Sequence, residues 1–264
     1  MKFVAVILVI FSIVVIISCG PSDEDKARVK LNYANTLLEK GDTAAAINQL
    51  DSIIILYPEA VYAVNAAKNK TNEINFDLLQ KKETEFDSLE IRVNELKKNF
   101  VIEKTDIDRY ARYIHKRQTF DRAWDRSYIQ VHLNQLGIIN ISSNYYGKNW
   151  LNHVAIRVYD GDDSAKTDTI PLGSAYNHHS DFQGLKWEKV TYRPGEYNDV
   201  VDFIANNTDR RLKAVFLGDE YYYIILEDYD KIAIKEAVEL SKAFGRQTEL
   251  TLQISSLKKK LNIQ

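Results

Sequence analysis

The sequence predicts an α+β fold in which a mostly antiparallel β module is inserted between long helices. Three observations predict it. Apolar residues spaced alternately three and four apart mark helices on both sides of the chain's middle. Between them, apolar and polar residues alternate strictly, as in half-buried strands. Only 4 prolines and 10 glycines stand in 264 residues, fewer than a repetitive all-β chain uses in its turns. Hydrophobic content of 45% and aromatic content of 11% are globular values, and a formal net charge of −2 offers no basic surface for nucleic acid.

The chain opens on MKFVAVILVIFSIVVIISCG. Lys2 precedes an apolar run from Phe3 to Ile17 that falls short of the ~20 residues of a spanning helix and breaks at Ser18-Cys19-Gly20-Pro21. Cys19 is the only cysteine. With Ile16, Ile17 and Ser18 before it, this segment resembles a bacterial lipoprotein signal. The resemblance implies a signal peptide over residues 1–18, acylation of Cys19 (palmitate included) and a mature chain anchored in the cell envelope, at the outer membrane. Such a chain has no free thiol and no disulfide, so its stability comes from packing. Residues 19–26 then read as an acidic tether. Its run Ser22-Asp23-Glu24-Asp25 resembles the export tag of surface lipoproteins in some Gram-negative bacteria, which leaves periplasmic and outward placements both open.

Residues 27–100 read as helices. Ala34, Gly41, Ala46, Leu50 and Pro58 put small residues where two antiparallel helices touch, glycine at their turn and proline at the end. This spacing resembles a single tetratricopeptide repeat, a unit whose relatives bind peptides or proteins in a groove. One such hairpin cannot bury its own apolar face, so the segment Glu59 to Lys70, with Ala60, Val61, Ala63, Val64 and Ala67 inward, is expected to cover it. Further on, Phe86, Leu89, Val93, Leu96 and Phe100 form a heptad seam, matched by Leu240, Ala243, Gln247, Leu250, Ile254, Leu257 and Leu261 in a C-terminal helix over 228–264. The two seams are expected to pair antiparallel within one chain as a coiled-coil-like stalk, the alternative being that each pairs with its copy in another subunit.

Residues 101–127, with Tyr110, Tyr113, Ile114, Phe120 and Trp124, are expected to form a connecting helix. Residues 128–227 read as a strand-rich α+β module. Strands are expected over 128–135, 138–146, 154–159 and 185–192, a short helix over 198–207, and a hairpin of 212–217 with 221–226. The two hairpin strands are apolar on both faces, which predicts a central place in a sheet covered on each side. The stretch from Gly173 to Gly184 reads as a polar loop.

No G-x-S-x-G, P-loop, G-x-G-x-x-G or H-E-x-x-H motif occurs, so neither a cofactor nor an enzymatic activity is implied. His178, His179 and Asp181, with His132 and His153 at a distance, fit no zinc-ligand spacing. Tyr145, Tyr146, Trp150 and Trp187 lie on or near turns and are candidate ligand-binding residues, since aromatic platforms anchor protein partners and stack on sugars. The triplet Asp, Ser or Thr, apolar recurs at Asp42, Asp51, Asp87, Asp163 and Asp168, where composition alone gives about one copy. It resembles an O-glycosylation acceptor of one bacterial phylum, which makes Ser164 and Thr169 the candidate acceptors. The expected function is that of a non-enzymatic scaffold, held to the membrane through lipidated Cys19, for another envelope protein or a peptide. The alternative is a lipoprotein that binds or processes glycans.

Overall fold

The computed structural model describes residues 21–104, 106, 109–119 and 125–263. The expected signal peptide and Cys19 lie outside the described residues, as do Phe120 and Trp124 of the expected connecting helix. The fold mixes helices with antiparallel sheets, the α+β class that the sequence predicts. No described helix is long and apolar enough to cross a membrane. The chain divides into two compact units, Met1–Glu83 with Gln253–Gln264, and Thr84–Leu252.

In the first unit, helix α1 (Asp23–Glu39) starts on a capping box, because Ser22 Oγ accepts from the Asp25 N–H and the Asp25 carboxylate accepts from the Ser22 N–H. The acidic run expected in a tether is therefore the first turn of a helix, where its charge complements the helix dipole. Gly41, at φ +81°, turns the chain in a conformation that disfavours any side chain. Asp42 then caps α2 (Thr43–Leu56) by accepting from the Ala45 N–H at 3.0 Å. The next helix, α3 (Val61–Lys97), runs unbroken from the segment expected to cover the hairpin into the heptad seam. Its first turn is capped from α1, since Glu24 Oε1 accepts from the Ala63 N–H at 3.1 Å. Ala27, Ala34, Leu50, Ile53, Ala60, Ala63 and Ala67 make the core of this unit, so small residues stand where the helices meet.

Among the described residues, the second unit holds ten strands in two antiparallel sheets. The larger sheet has the order β1-β2-β3-β4-β8-β7, from β1 (Phe100–Glu103), β2 (Arg112–His115), β3 (Tyr128–Asn134), β4 (Ile139–Gly147), β7 (Asn177–Phe182) and β8 (Leu185–Tyr192). The smaller has the order β10-β9-β5-β6, from β5 (Ala155–Asp160), β6 (Asp163–Lys166), β9 (Lys213–Leu217) and β10 (Tyr221–Ile225). The unit also holds a short helix, α4 (Val200–Asn206), and most of the long α5 (Asp228–Leu261). One core gathers Ile129, Val131, Ile141 and Tyr192 from the large sheet, Ile156 and Phe216 from the small one, Ile204 from α4, and Ile234, Ala237 and Leu240 from α5. Burying each large aliphatic side chain contributes about 1.5–3 kcal/mol. At the β3–β4 turn, Gly137 has φ +77°, and an added Cβ would lie 2.9 Å from the Ser241 carbonyl oxygen of α5, so only glycine lets the turn pack there.

Within this unit α3 and α5 run antiparallel. Arg246 Nε donates to Glu85 at 2.9 Å, Arg92 pairs with Glu239 at 3.2 Å, and Asn99 donates to Glu236 at 2.8 Å. Val93 and Phe100 are buried in the common core and Leu89 and Leu96 pack against it.

Three expectations need correction. Residues 101–127 are not a connecting helix: their described part holds most of β1, all of β2 and a single 3-10 turn over Lys116–Gln118. Residues 177–182 are not loop but the edge strand β7, whose polar side chains suit its exposed position. The hairpin strands are not both central. β9 lies between β10 and β5, but β10 is an edge, and Tyr221, Tyr223 and Ile225 are exposed.

Candidate functional site

A groove of about 340 Å³ lies on the face of the large sheet that points away from its core. Strand alternation builds it. Tyr128 and Gln130 of β3, Asn144 of β4, Trp187 and Lys189 of β8, and His178 and Ser180 of β7 share this face with Arg112 of β2 and Glu103 of β1. Arg126 closes one end. It is held by Asp230 of α5, through Nη1 at 2.9 Å and Nη2 at 3.2 Å, and its guanidinium stands 4.8 Å from the centre of the Tyr128 ring.

The electrostatics of this face are set by Arg112 and Lys189 together with the carboxylate of Glu103. Lys189 makes no hydrogen bond or ion pair among the described residues, and burial together with the charge of Arg112 pulls its ammonium below the ordinary lysine range. Burial, then the charges of Lys189 and Arg112, holds His132 of the same β3 face down to about 4. Burial pushes the Tyr128 hydroxyl up to about 12, so it stays a neutral hydrogen-bond donor at neutral pH. The groove thus sets two cations, Arg112 and Lys189, beside the single carboxylate of Glu103.

His132 also sets a pH dependence. An unfolded chain takes up its proton near 6.5, the folded one only near 4, so the unfolded state binds more protons between these values. Stability is therefore full above pH ~6.5 and falls on acidification towards 4, by on the order of 2–3 kcal/mol. His115, lowered by burial against the opposing effect of Glu236, adds in the same direction. His132→Asn should flatten the dependence of the urea midpoint between pH 7 and 4; an unchanged slope refutes the assignment.

The edge of this face depends on Gln118. Strand β2 pairs with β3 only as far as Ile114 opposite His132. Beyond that point the buried Gln118 amide stands in for a strand, accepting from the Val131 N–H at 3.0 Å and donating to the Ile129 carbonyl at 2.9 Å. The same amide nitrogen reaches Asp230 at 2.9 Å.

A second constellation lies on the opposite face of the large sheet. Ser143 Oγ is 2.8 Å from His153 Nε2, and His153 Nδ1 is 2.7 Å from Glu188 Oε2, the connectivity of a hydrolytic triad. All three residues are at most 1% exposed, and the Tyr192 hydroxyl sits 3.3 Å from Ser143 Oγ inside the core. A substrate carbonyl has no path to Ser143 in this packing. Glu188 instead organises a turn, accepting from the backbone N–H groups of Leu151 at 2.6 Å, Asn152 at 2.8 Å and His153 at 2.9 Å. Burial alone would raise its carboxyl, but these donors together with the His153 ring bring it below the usual carboxylate range.

The aromatic residues singled out in the sequence do not form one platform. Tyr146 and Trp187 are opposite each other in the β4–β8 ladder, with ring centres 5.3 Å apart, and Trp187 lines the groove. Tyr145 points the other way into the core, where its hydroxyl donates to the Asn149 carbonyl at 3.1 Å, and so leaves the candidate set. Trp150 stacks on His179 at 5.0 Å and takes the Lys186 ammonium over its ring at 5.0 Å, on the side of the sheet away from the groove. His178 and His179 alternate across β7 and face opposite ways, and among the described residues no three His, Cys, Asp or Glu gather as metal ligands. Ser164 and Thr169 are exposed, although Ser164 lies in strand β6 and not in a loop. Asp42 of the first triplet serves as the cap of α2.

Sequence reasoning missed Arg112, Arg126, Lys189, Gln118 and the Ser143–His153–Glu188 network. Glu188 carried a signal, because its alternation in β8 places it on the same face as Val190 and Tyr192, where a lone carboxylate must be buried and satisfied. No protein-family model, no curated protein and no solved structure matches the chain.

Proposed function

We propose that this chain is an envelope lipoprotein, anchored at the outer membrane through lipidated Cys19, that binds a ligand without transforming it. The observation that supports this reading is the groove itself, where the ammonium of Lys189 and the guanidinium of Arg112 stand beside Trp187 and the neutral hydroxyl of Tyr128. Such a lining suits an extended acidic ligand, an acidic segment of another envelope protein or a peptide. The paired rings of Tyr146 and Trp187 favour a second reading, a glycan stacked on Trp187. In the first unit, α1, Gly41 and α2 are a tetratricopeptide-like hairpin covered by α3, supported by the buried alanines and the positive φ of Gly41. The α3–α5 pair acts as a coiled-coil-like stalk within one chain, supported by the ion pairs Glu85–Arg246 and Arg92–Glu239.

Calorimetric titration of the protein with an acidic hexapeptide, its neutral counterpart and an anionic oligosaccharide tests the proposal. Lys189→Ala should weaken acidic-ligand binding about tenfold or more, because a hydrogen bond to a charged group contributes about 1.5–3 kcal/mol. The same substitution should leave the free protein as stable or slightly more stable, since it removes a repelled charge. Equal affinity for the acidic and neutral peptides, or an unaffected Lys189→Ala variant, overturns the acidic-ligand reading. Preferential loss of oligosaccharide binding in Trp187→Ala supports the glycan reading.

A further inference from the structure

One end of the first unit is unusually apolar for a surface. Ile55, Leu56, Val61 and Tyr62 are between 57% and 75% exposed, within eight consecutive residues that leave α2 and enter α3. Monomeric surfaces rarely cluster large apolar side chains in this way without something to cover them. The start of α1 lies at this same end. Glu24 caps α3 at Ala63, and the Arg28 guanidinium stands 5.9 Å from the centre of the Tyr62 ring. α1 and α2 run antiparallel, with Lys30 reaching Gln49 at 3.4 Å, which brings the exit of α2 beside the first turn of α1.

The chain before α1 has almost no slack. Ser22 is already fixed as the helix cap, and only Gly20 and Pro21 separate it from Cys19. Three residues reach at most about 11 Å. The carboxylates of the first turn are held by the protein and stand beside cations: Asp23 pairs with Lys26 at 2.9 Å, Glu24 accepts from the Ala63 N–H, and Asp25 closes the capping box next to the charge of Arg28. We infer that the Ile55–Tyr62 end of the first unit rests on the lipid surface, its apolar side chains entering the headgroup boundary beside the acyl chains on Cys19. The inference rests on the lipoprotein reading above. Tyr62 with Arg28 over its ring has the amphipathic character of residues at membrane interfaces. The acyl chains hold the protein on the membrane, and the apolar end fixes which way the unit faces.

The test uses the full-length lipidated protein, whose acylated Cys19 leaves any introduced thiol unique. Tyr62→Cys and Ile55→Cys each receive an environment-sensitive fluorophore, with Lys40→Cys at the opposite end of α1 as the reference. The proteins are reconstituted into phosphatidylethanolamine–phosphatidylglycerol vesicles with or without a headgroup-region doxyl lipid, and iodide serves as the aqueous quencher. The expected result is blue-shifted emission and at least threefold stronger doxyl quenching at positions 55 and 62 than at 40. Iodide quenching at 55 and 62 equal to that at 40, with mass spectrometry showing acylated Cys19, overturns the inference and leaves the anchor standing. Shielding from both quenchers assigns the patch to a protein partner and likewise overturns it. An unmodified Cys19 overturns the lipoprotein reading itself, and the inference with it.

Discussion

Glu188→Ala is expected to cost about 3–5 kcal/mol, a large share of a domain's net stability. The side chain is fully buried and receives hydrogen bonds from the Leu151, Asn152 and His153 N–H groups and from the His153 ring. Its loss strands those donors in the core, and each unsatisfied buried group costs about 1–3 kcal/mol. The turn it holds includes Asn152 at φ +51°, a conformation that backbone preferences alone do not maintain. Glu188→Gln keeps one acceptor but aims an amide at a backbone donor, so about 2 kcal/mol should be lost. The carboxyl titrates below its ordinary value, so its stabilisation is present above that value and disappears as pH falls through the lowered one. Urea unfolding followed by tryptophan fluorescence measures all three effects. A Glu188→Ala loss below about 0.5 kcal/mol would show that the network is not satisfied as described.

Asp230→Ala is the second large effect, at about 3 kcal/mol. Asp230 is 3% exposed and answers both Arg126 and Gln118, so its removal leaves a partly buried guanidinium without its counter-charge and the strand-mimicking amide without its third contact. Arg126 also closes the groove, so acidic-ligand affinity should change together with stability. A double-mutant cycle with Gln118→Ala should give a coupling of about 1 kcal/mol or more. Strict additivity would mean that Gln118 holds β3 independently of Asp230.

The elements that could be read from the sequence are those with a strong period. β3 alternates over its whole length and β4 and β8 over part of theirs, and the spacing of Leu89, Val93 and Leu96 in α3 shows which face is buried. β1, β2 and β6 have four residues each, too few for a period to stand out, and the polar NHHSDF of β7 has no apolar face to show. Tyr145 and Tyr146 illustrate the limit of local reading. Adjacent residues in a strand face opposite ways, so one is core and the other lies next to Trp187 on the groove side. The cationic cluster was beyond reach for another reason. Arg112 and Lys189 belong to β2 and β8, and only the order β2-β3-β4-β8 of the sheet places them over one groove. Gln118 is harder still, since nothing local distinguishes a glutamine that will replace a strand from one in a solvated turn.

The place of α5 in the second core constrains how this protein is made. Ile234, Ala237, Val238, Leu240, Ala243 and Phe244 supply one side of a core whose other residues begin at Val93, and the Arg92–Glu239 pair closes a span of 147 residues. During synthesis the sheets emerge before the helix that covers them, so their apolar face stays incomplete until α5 has been made. Contacts of such long range fold slowly. A chain cut short before Asp228 would therefore leave the apolar faces of the sheets without the helix that covers them.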